Sequence, residues 1–84
     1  MSYSDDIRKH CAQRYVEPAR ARRVREVRIR AGDVHRDRGY RSRIPLVCSA
    51  LGANAFGEMC RVGRKEILGP LNGSNTVFVF EILL

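Results

Sequence analysis

His35, Arg36 and Asp37 stand in direct succession, the three letters from which phosphotransfer enzymes build a loop whose Asp takes a substrate proton. His10 and Cys11 are adjacent, and Cys48 and Cys60 add two more thiols, so imidazole and thiolate ligands for a metal are also present. Neither chemistry has the rest of its equipment. Two residues apart on a helix, His35 and Asp37 do not face each other, and the phosphotransfer fold needs several times the 84 residues of this chain. His10 and Cys11 point about 100° apart on a helix, and no Cys or His pair has the spacing of a zinc site. No Ser or Cys sits in a nucleophile elbow. The glycine-containing stretch Gly69 to Asn75 lacks the Lys-Ser/Thr ending of a phosphate-binding loop. The expectation is a chain that is not an enzyme, with no metal, no cofactor and no small-molecule ligand.

The charge says more. Sixteen Lys and Arg stand against nine Asp and Glu, a formal net charge of +7. All but Lys9 and Lys65 are arginines. A field of that sign attracts polyanions, and the guanidinium fork grips phosphate and guanine edges in a way an ammonium cannot. Six arginines fall between Arg20 and Arg30, where Glu26 is the only acid. No stretch is long and apolar enough to span a bilayer; the longest apolar run, Thr76 to Leu84, is broken by Glu81. The first ten residues are acidic and polar, unlike a secretory signal, so the expected location is cytoplasmic. Three cysteines without CxxC spacing fit reduced, buried small hydrophobes.

At this length one domain, residues 1–84, is expected. Ser4 is the expected N-cap of a first helix, with Asp5 and Asp6 at its positive end. Ile7, Cys11 and Tyr15 form its apolar stripe. Pro18 bends or restarts that helix. Val27 and Ile29 alternate with Arg28 and Arg30, which predicts a strand over Arg25 to Arg30 with a basic outer face. A two-turn helix over Ala31 to Arg38 stops at Gly39. Ser42 is expected to cap the next helix, whose buried stripe is Ile44, Val47, Cys48 and Leu51. Leu46, Ser49, Ala50 and Ala53 should lie on its free side. Phe56 and Met59 are expected to pack back on the core. Val62 to Leu68 and Thr76 to Leu83 read as two antiparallel strands joined by a loop rich in turn formers.

Helix, strand, short helix, glycine turn, helix and hairpin, from Ser4 to Leu84, resemble in their order the winged helix-turn-helix class of DNA-binding domains. The resemblance implies a small α+β fold of three helices, a short strand and a C-terminal β-hairpin wing. It also implies that Ser42 to Leu51 enters a major groove while the Gly69 to Asn75 loop touches a neighbouring minor groove or backbone. The residues expected at a nucleic acid are Arg28, Arg30, Arg41, Ser42, Arg43, Leu46, Ser49, Arg64, Lys65 and Asn72. Only Ser49 on the second helix can hydrogen-bond a base edge, and Leu46 can touch a thymine methyl. Backbone-led docking on double-stranded DNA with modest sequence preference follows, as a transcription regulator or the DNA-docking module of a larger assembly. An RNA-binding module and a protein-interaction adaptor are the alternatives. The apolar C-terminal strand leaves room for a homodimer.

Overall fold

The computed structural model describes residues 2–83. They form a small α+β domain in which four helical stretches pack on one face of a three-stranded antiparallel sheet. The first stretch is α1 (Tyr3–Cys11), a single π turn (Ala12–Val16) and α2 (Glu17–Ala21), running on without a break. Ser2, not Ser4, is the N-cap: its hydroxyl accepts from the Asp5 N–H at 3.1 Å. Ile7 and Cys11 are fully buried, one turn apart. The restart expected at Pro18 takes the form of the π turn, whose wider spacing shows in the Glu17 N–H reaching Ala12 O. Pro18 then lies in the first turn of α2, where its missing N–H costs nothing.

The end of α2 is a Schellman turn. Val24 N–H donates to Ala19 O at 2.9 Å and Arg23 N–H to Arg20 O at 3.1 Å, with Arg23 left-handed at φ 60°. The chain then enters β1 (Glu26–Arg30), one residue shorter than the sequence suggests. Next comes α3 (Ala31–Asp37), closed by the same turn with Gly39 at φ 66°. After an irregular approach, α4 (Ile44–Gly52) and α5 (Asn54–Cys60) follow, separated by an extended Ala53. Three helices were expected after reading α5 as a mere turn; Phe56 and Cys60, both buried and one turn apart, were its signal. Met59 does not pack on the core and is half exposed.

Strands β2 (Val62–Leu68) and β3 (Val77–Ile82) complete the sheet in the order β1-β3-β2. β3 is central, so both of its edges are already hydrogen-bonded and unavailable to a second copy. Phe78 and Phe80 point to the helical side, where Phe80 meets the edge of Phe56 at 5.1 Å between ring centres. Ile7, Ile29, Val34, Val47 and Leu51 close this core. Burying one such aliphatic side chain is worth about 1.5–3 kcal/mol, which is what holds short helices of weak intrinsic stability in place.

Val79 faces the other side of the sheet yet is buried as well. It lies beside Arg28 in β1 and Glu66 in β2, with a bulge between Arg64 and Glu66. Lys65 reaches Glu26 at 3.0 Å, and Arg28 reaches it at 3.5 Å. Because β1 and β2 flank β3, the Lys65–Glu26 pair crosses the central strand. The Lys65 and Arg28 hydrogen bonds hold the Glu26 carboxyl below its ordinary range. The outer face expected to be basic is therefore a mixed, largely neutralised one.

Candidate nucleic-acid interface

The segment Arg38 to Arg43 joins α3 to α4 and is fastened from below. Arg38 holds both Asp6 oxygens, at 2.9 and 2.8 Å, and the Tyr40 hydroxyl donates to the same carboxylate. The Tyr40 hydroxyl first, and then Arg38, keep the Asp6 carboxyl below its ordinary range against the opposing effect of burial. Tyr40 also meets the edges of Tyr3 and His35. His35 is a structural acceptor: its Nε2 receives the Arg43 N–H at 3.1 Å. Asp37 takes Tyr15 OH at 3.1 Å and lies 3.5 Å from His10 Nε2. The His-Arg-Asp triplet thus has all three side chains in pairings within the fold, Arg36 with Asp33 and Asp37.

Arg41, Ser42 and Arg43 are exposed on this platform, but not as a helix start. Ser42 is left-handed at φ 52° and caps nothing; Arg43 is the N-cap, without a side-chain hydrogen bond. The reason lies in hydrogen bonding. Pro45 in the first turn has no N–H to offer, and the His35 ring already takes the Arg43 N–H that a capped approach would leave free. Arg43 stacks on Tyr3 at 5.1 Å, and Arg41 makes no ion pair among the described residues.

The helix that follows is less available than its sequence suggests. α4 packs between α1 and α3, and Ala50, expected on the free side, is fully buried. Arg8 Nε donates to Ala50 O at 3.3 Å from the α1 side. Leu46 is half-buried against the core, which leaves Pro45 and Ser49 as the exposed edge. Arg64 lies on the helical side of the sheet, donating to Gly52 O at 2.7 Å and so capping the negative end of α4.

The hairpin loop does not stand out as a free wing. Thr76 is 1 % exposed, and its hydroxyl accepts from Gly73 N–H at 2.9 Å while donating to Pro70 O. Ser74 O and Thr76 O accept the first two N–H groups of α3, from Gly32 at 2.8 Å and Ala31 at 2.9 Å. Asn75 and Asp33 pin Arg30, at 2.7 and 2.8 Å. The loop stays exposed on either side of Gly73, with Leu71 77 % exposed at its tip.

The ten residues expected at a nucleic acid therefore divide. Arg41, Ser42, Arg43 and Ser49 share one exposed region at the head of α4, with Leu46 at its margin. Arg28 and Lys65 lie on the far side of the sheet, paired with Glu26. Arg30 and Arg64 are occupied within the fold, and Asn72 sits alone on the loop tip.

A second group draws three arginines from the Arg20 to Arg30 run that stands out in the sequence and adds Arg61. Arg22, Arg23, Arg25 and Arg61 are all exposed and make no ion pair among the described residues. They gather where α2 ends and β1 and β2 begin. Ile82 N–H donates to Arg25 O at 2.7 Å and Leu83 N–H to Arg61 O at 3.0 Å, so Arg25 and Arg61 flank the end of β3. Arg23 and Arg61 are left-handed, at φ 60° and 55°, each at a helix end where glycine is the easy choice. Arginine there costs about 1–2 kcal/mol of backbone strain, offset in part by about 0.3–1 kcal/mol of favourable dipole interaction. Arg20 is different: it donates to Leu83 O and Cys60 O, both at 2.7 Å, and to Arg61 O at 3.2 Å, tying α2 to the sheet.

The three cysteines are free and buried, and burial pushes the Cys11 thiol up to about 12. Among the described residues no helix is long and apolar enough to cross a membrane, and no group of three or more His, Cys, Asp or Glu is placed to hold a metal ion. No protein-family model, no curated protein and no solved structure matches the chain.

Proposed function

We propose that the chain is a winged-helix-type DNA-docking domain that sets the Arg41–Arg43 approach and the exposed edge of α4 against the phosphate backbone of a duplex. The small α+β fold and its three-stranded antiparallel sheet are compatible with this reading. The observation that carries the reading is the charge distribution around α4. The nearby carboxylates Asp6, Asp33 and Asp37 are consumed by Arg38, Arg30 and Arg36, while Arg41 and Arg43 have no acid partner among the described residues at the exposed head of the helix. With Ser49 as its exposed hydrogen-bonding side chain, α4 can position on phosphates but has little to read bases with.

The test is a titration with a generic duplex at two salt concentrations, read by backbone amide NMR shifts. Shifts that include residues 41–49 and fade with salt are expected. Replacing both arginines, Arg41→Gln and Arg43→Gln, should flatten the slope of log affinity against log salt by about 1.8, roughly 0.9 per released counterion. An unperturbed α4 region at low salt defeats the reading. The exposed Pro45 and half-buried Leu46 favour one competitor, a protein-interaction adaptor, which would bind its partner equally well at high salt.

A further inference from the structure

We infer that Arg22, Arg23, Arg25 and Arg61 form a second phosphate-binding pole for nucleic-acid backbone, at the opposite end of the molecule from the α4 head. It shares with the preceding reading only the chemical nature of the partner, and it uses none of the same residues. The geometry separates the two poles. Arg43 stacks on Tyr3 at the start of the α1–π–α2 arm, and the second group surrounds the far end of that arm, just past Ala21. From Tyr3 to Ala21 the arm spans roughly 27 Å at helical rise, in a molecule whose longest dimension is 34 Å. That exceeds the Debye length of roughly 10 Å at 0.1 M salt, so the poles act on a polyanion as separate sites.

The local chemistry identifies phosphate. A groove of about 610 Å³ is lined by Arg20, Arg23, Val24, Arg25, Glu81 and the Ile82–Leu83 end of β3. Val24 and Leu83, 42 % and 43 % exposed, give it an apolar floor. Glu81 is the carboxylate among its lining residues, and no ion pair between it and these arginines forms. Each free guanidinium can fork a phosphate. An extended acidic peptide fits less well. The N–H groups of Ile82 and Leu83 are already taken by Arg25 O and Arg61 O, so the groove has no free strand edge for a peptide to extend.

A second observation points the same way. Arg23 and Arg61 occupy left-handed positions at helix ends, whereas α3 ends with the same turn and uses Gly39. Among the described residues, neither arginine side chain makes a salt bridge. Strained positions kept for charged, unpaired side chains mark a surface whose reward comes from outside the fold.

The experiment uses the full chain and a generic 30-base-pair duplex, with affinity followed by fluorescence anisotropy across a salt series. Two variants are compared with wild type: Arg22→Gln, Arg23→Gln, Arg25→Gln and Arg61→Gln together, and the double variant Arg23→Gly with Arg61→Gly. The fourfold variant should flatten the log–log salt slope by up to roughly 3.6 and the double variant by up to roughly 1.8. The loss should be additive in log affinity with that of Arg41→Gln and Arg43→Gln. The double variant should also melt at a higher temperature than wild type, because glycine removes the strain; a purely structural role predicts a lower melting temperature and an unchanged slope. Should the fourfold variant fail to fold, the double variant carries the test alone. An unchanged slope in the folded variants overturns this pole while leaving the α4 reading standing. Loss of binding to polyglutamate without loss on DNA overturns it in favour of an acidic protein partner. A wild-type chain with no salt-dependent DNA affinity overturns both.

Discussion

Gly32→Ala reverses the sign of an ordinary helix substitution. Gly32 is the second residue of α3, and it has no left-handed backbone to protect. In an open helix, alanine in place of glycine gains roughly 0.5–1 kcal/mol. Here an added Cβ would lie 2.7 Å from Ser74 O and 2.7 Å from Arg30 Nη1. The guanidinium can swing aside, but the carbonyl cannot do so freely. It accepts the Gly32 N–H at 2.8 Å, and two residues on, Thr76 is buried and bonded to Gly73 and Pro70. Relieving the overlap means lifting the loop off the start of α3 and leaving helix donors unmatched, a cost of about 1–3 kcal/mol typical of overpacking. For a domain of this size each kcal/mol lowers the melting temperature by roughly 4–8 °C. Urea unfolding should show a lower midpoint with an unchanged m-value. Gly39→Ala is the contrast: nothing lies within 4 Å of its Cβ, but its φ is +66°. It should lose about 1–2 kcal/mol through the backbone alone, and Gly39→Asn should recover part of it. If Gly32→Ala is as stable as wild type or more so, the docked hairpin loop is wrong.

Other outcomes follow from side chains committed within the fold. Arg20→Lys should destabilise by about 2 kcal/mol, because an ammonium cannot satisfy three carbonyl oxygens presented to a fork; equal urea midpoints would remove Arg20 as the tie between α2 and the sheet. Asp6 titrates below its ordinary value of 3.8, so its contribution is complete above that pH and is lost as pH falls through the folded-state value. Asp6→Asn should therefore be the less stable protein at pH 7, with the gap in denaturation midpoint closing below pH 3.8; a constant gap would show that Asp6 is not coupled to Arg38 and Tyr40 in solution.

The parts of the fold legible from residues were those set by periodicity. Ile7 and Cys11, Val47 with Cys48 and Leu51, and Phe78 with Phe80 lie in the core where their spacing put them. Gly39 ends α3 because a left-handed residue is needed there and glycine supplies it at no steric cost. Less legible were features decided by neighbours distant in sequence. Ser4 and Ser42 have the right chemistry for caps, yet Ser2 caps α1, and the His35 ring, eight residues upstream, takes the Arg43 N–H that begins α4. Ala50 reads as a free-side residue from its own helix; α1 lying against α4 buries it. The loop from Gly69 to Asn75 looks free because nothing local shows that α3 needs its carbonyls.

The arginines show why a charge count alone could not locate the site. Along Arg20 to Arg30 they are chemically alike in sequence, but the fold gives them three different circumstances. Arg20 is spent on backbone carbonyls, and Arg28 and Arg30 on carboxylates across or beside the sheet. Arg22, Arg23 and Arg25 keep their charge for solvent. Partners as distant as Lys65 for Glu26 and Asn75 for Arg30 make the division, so only the closed sheet reveals it. Counterion release depends on the cations that remain free, not on the total. Among the described residues, the unpaired guanidiniums behind the net charge of +7 include two separated sets, one past the end of α2 and one at the head of α4, besides Arg14 over the Tyr15 ring. A salt slope that responds to Arg28→Gln and Arg30→Gln as strongly as to changes at those two ends would contradict that division.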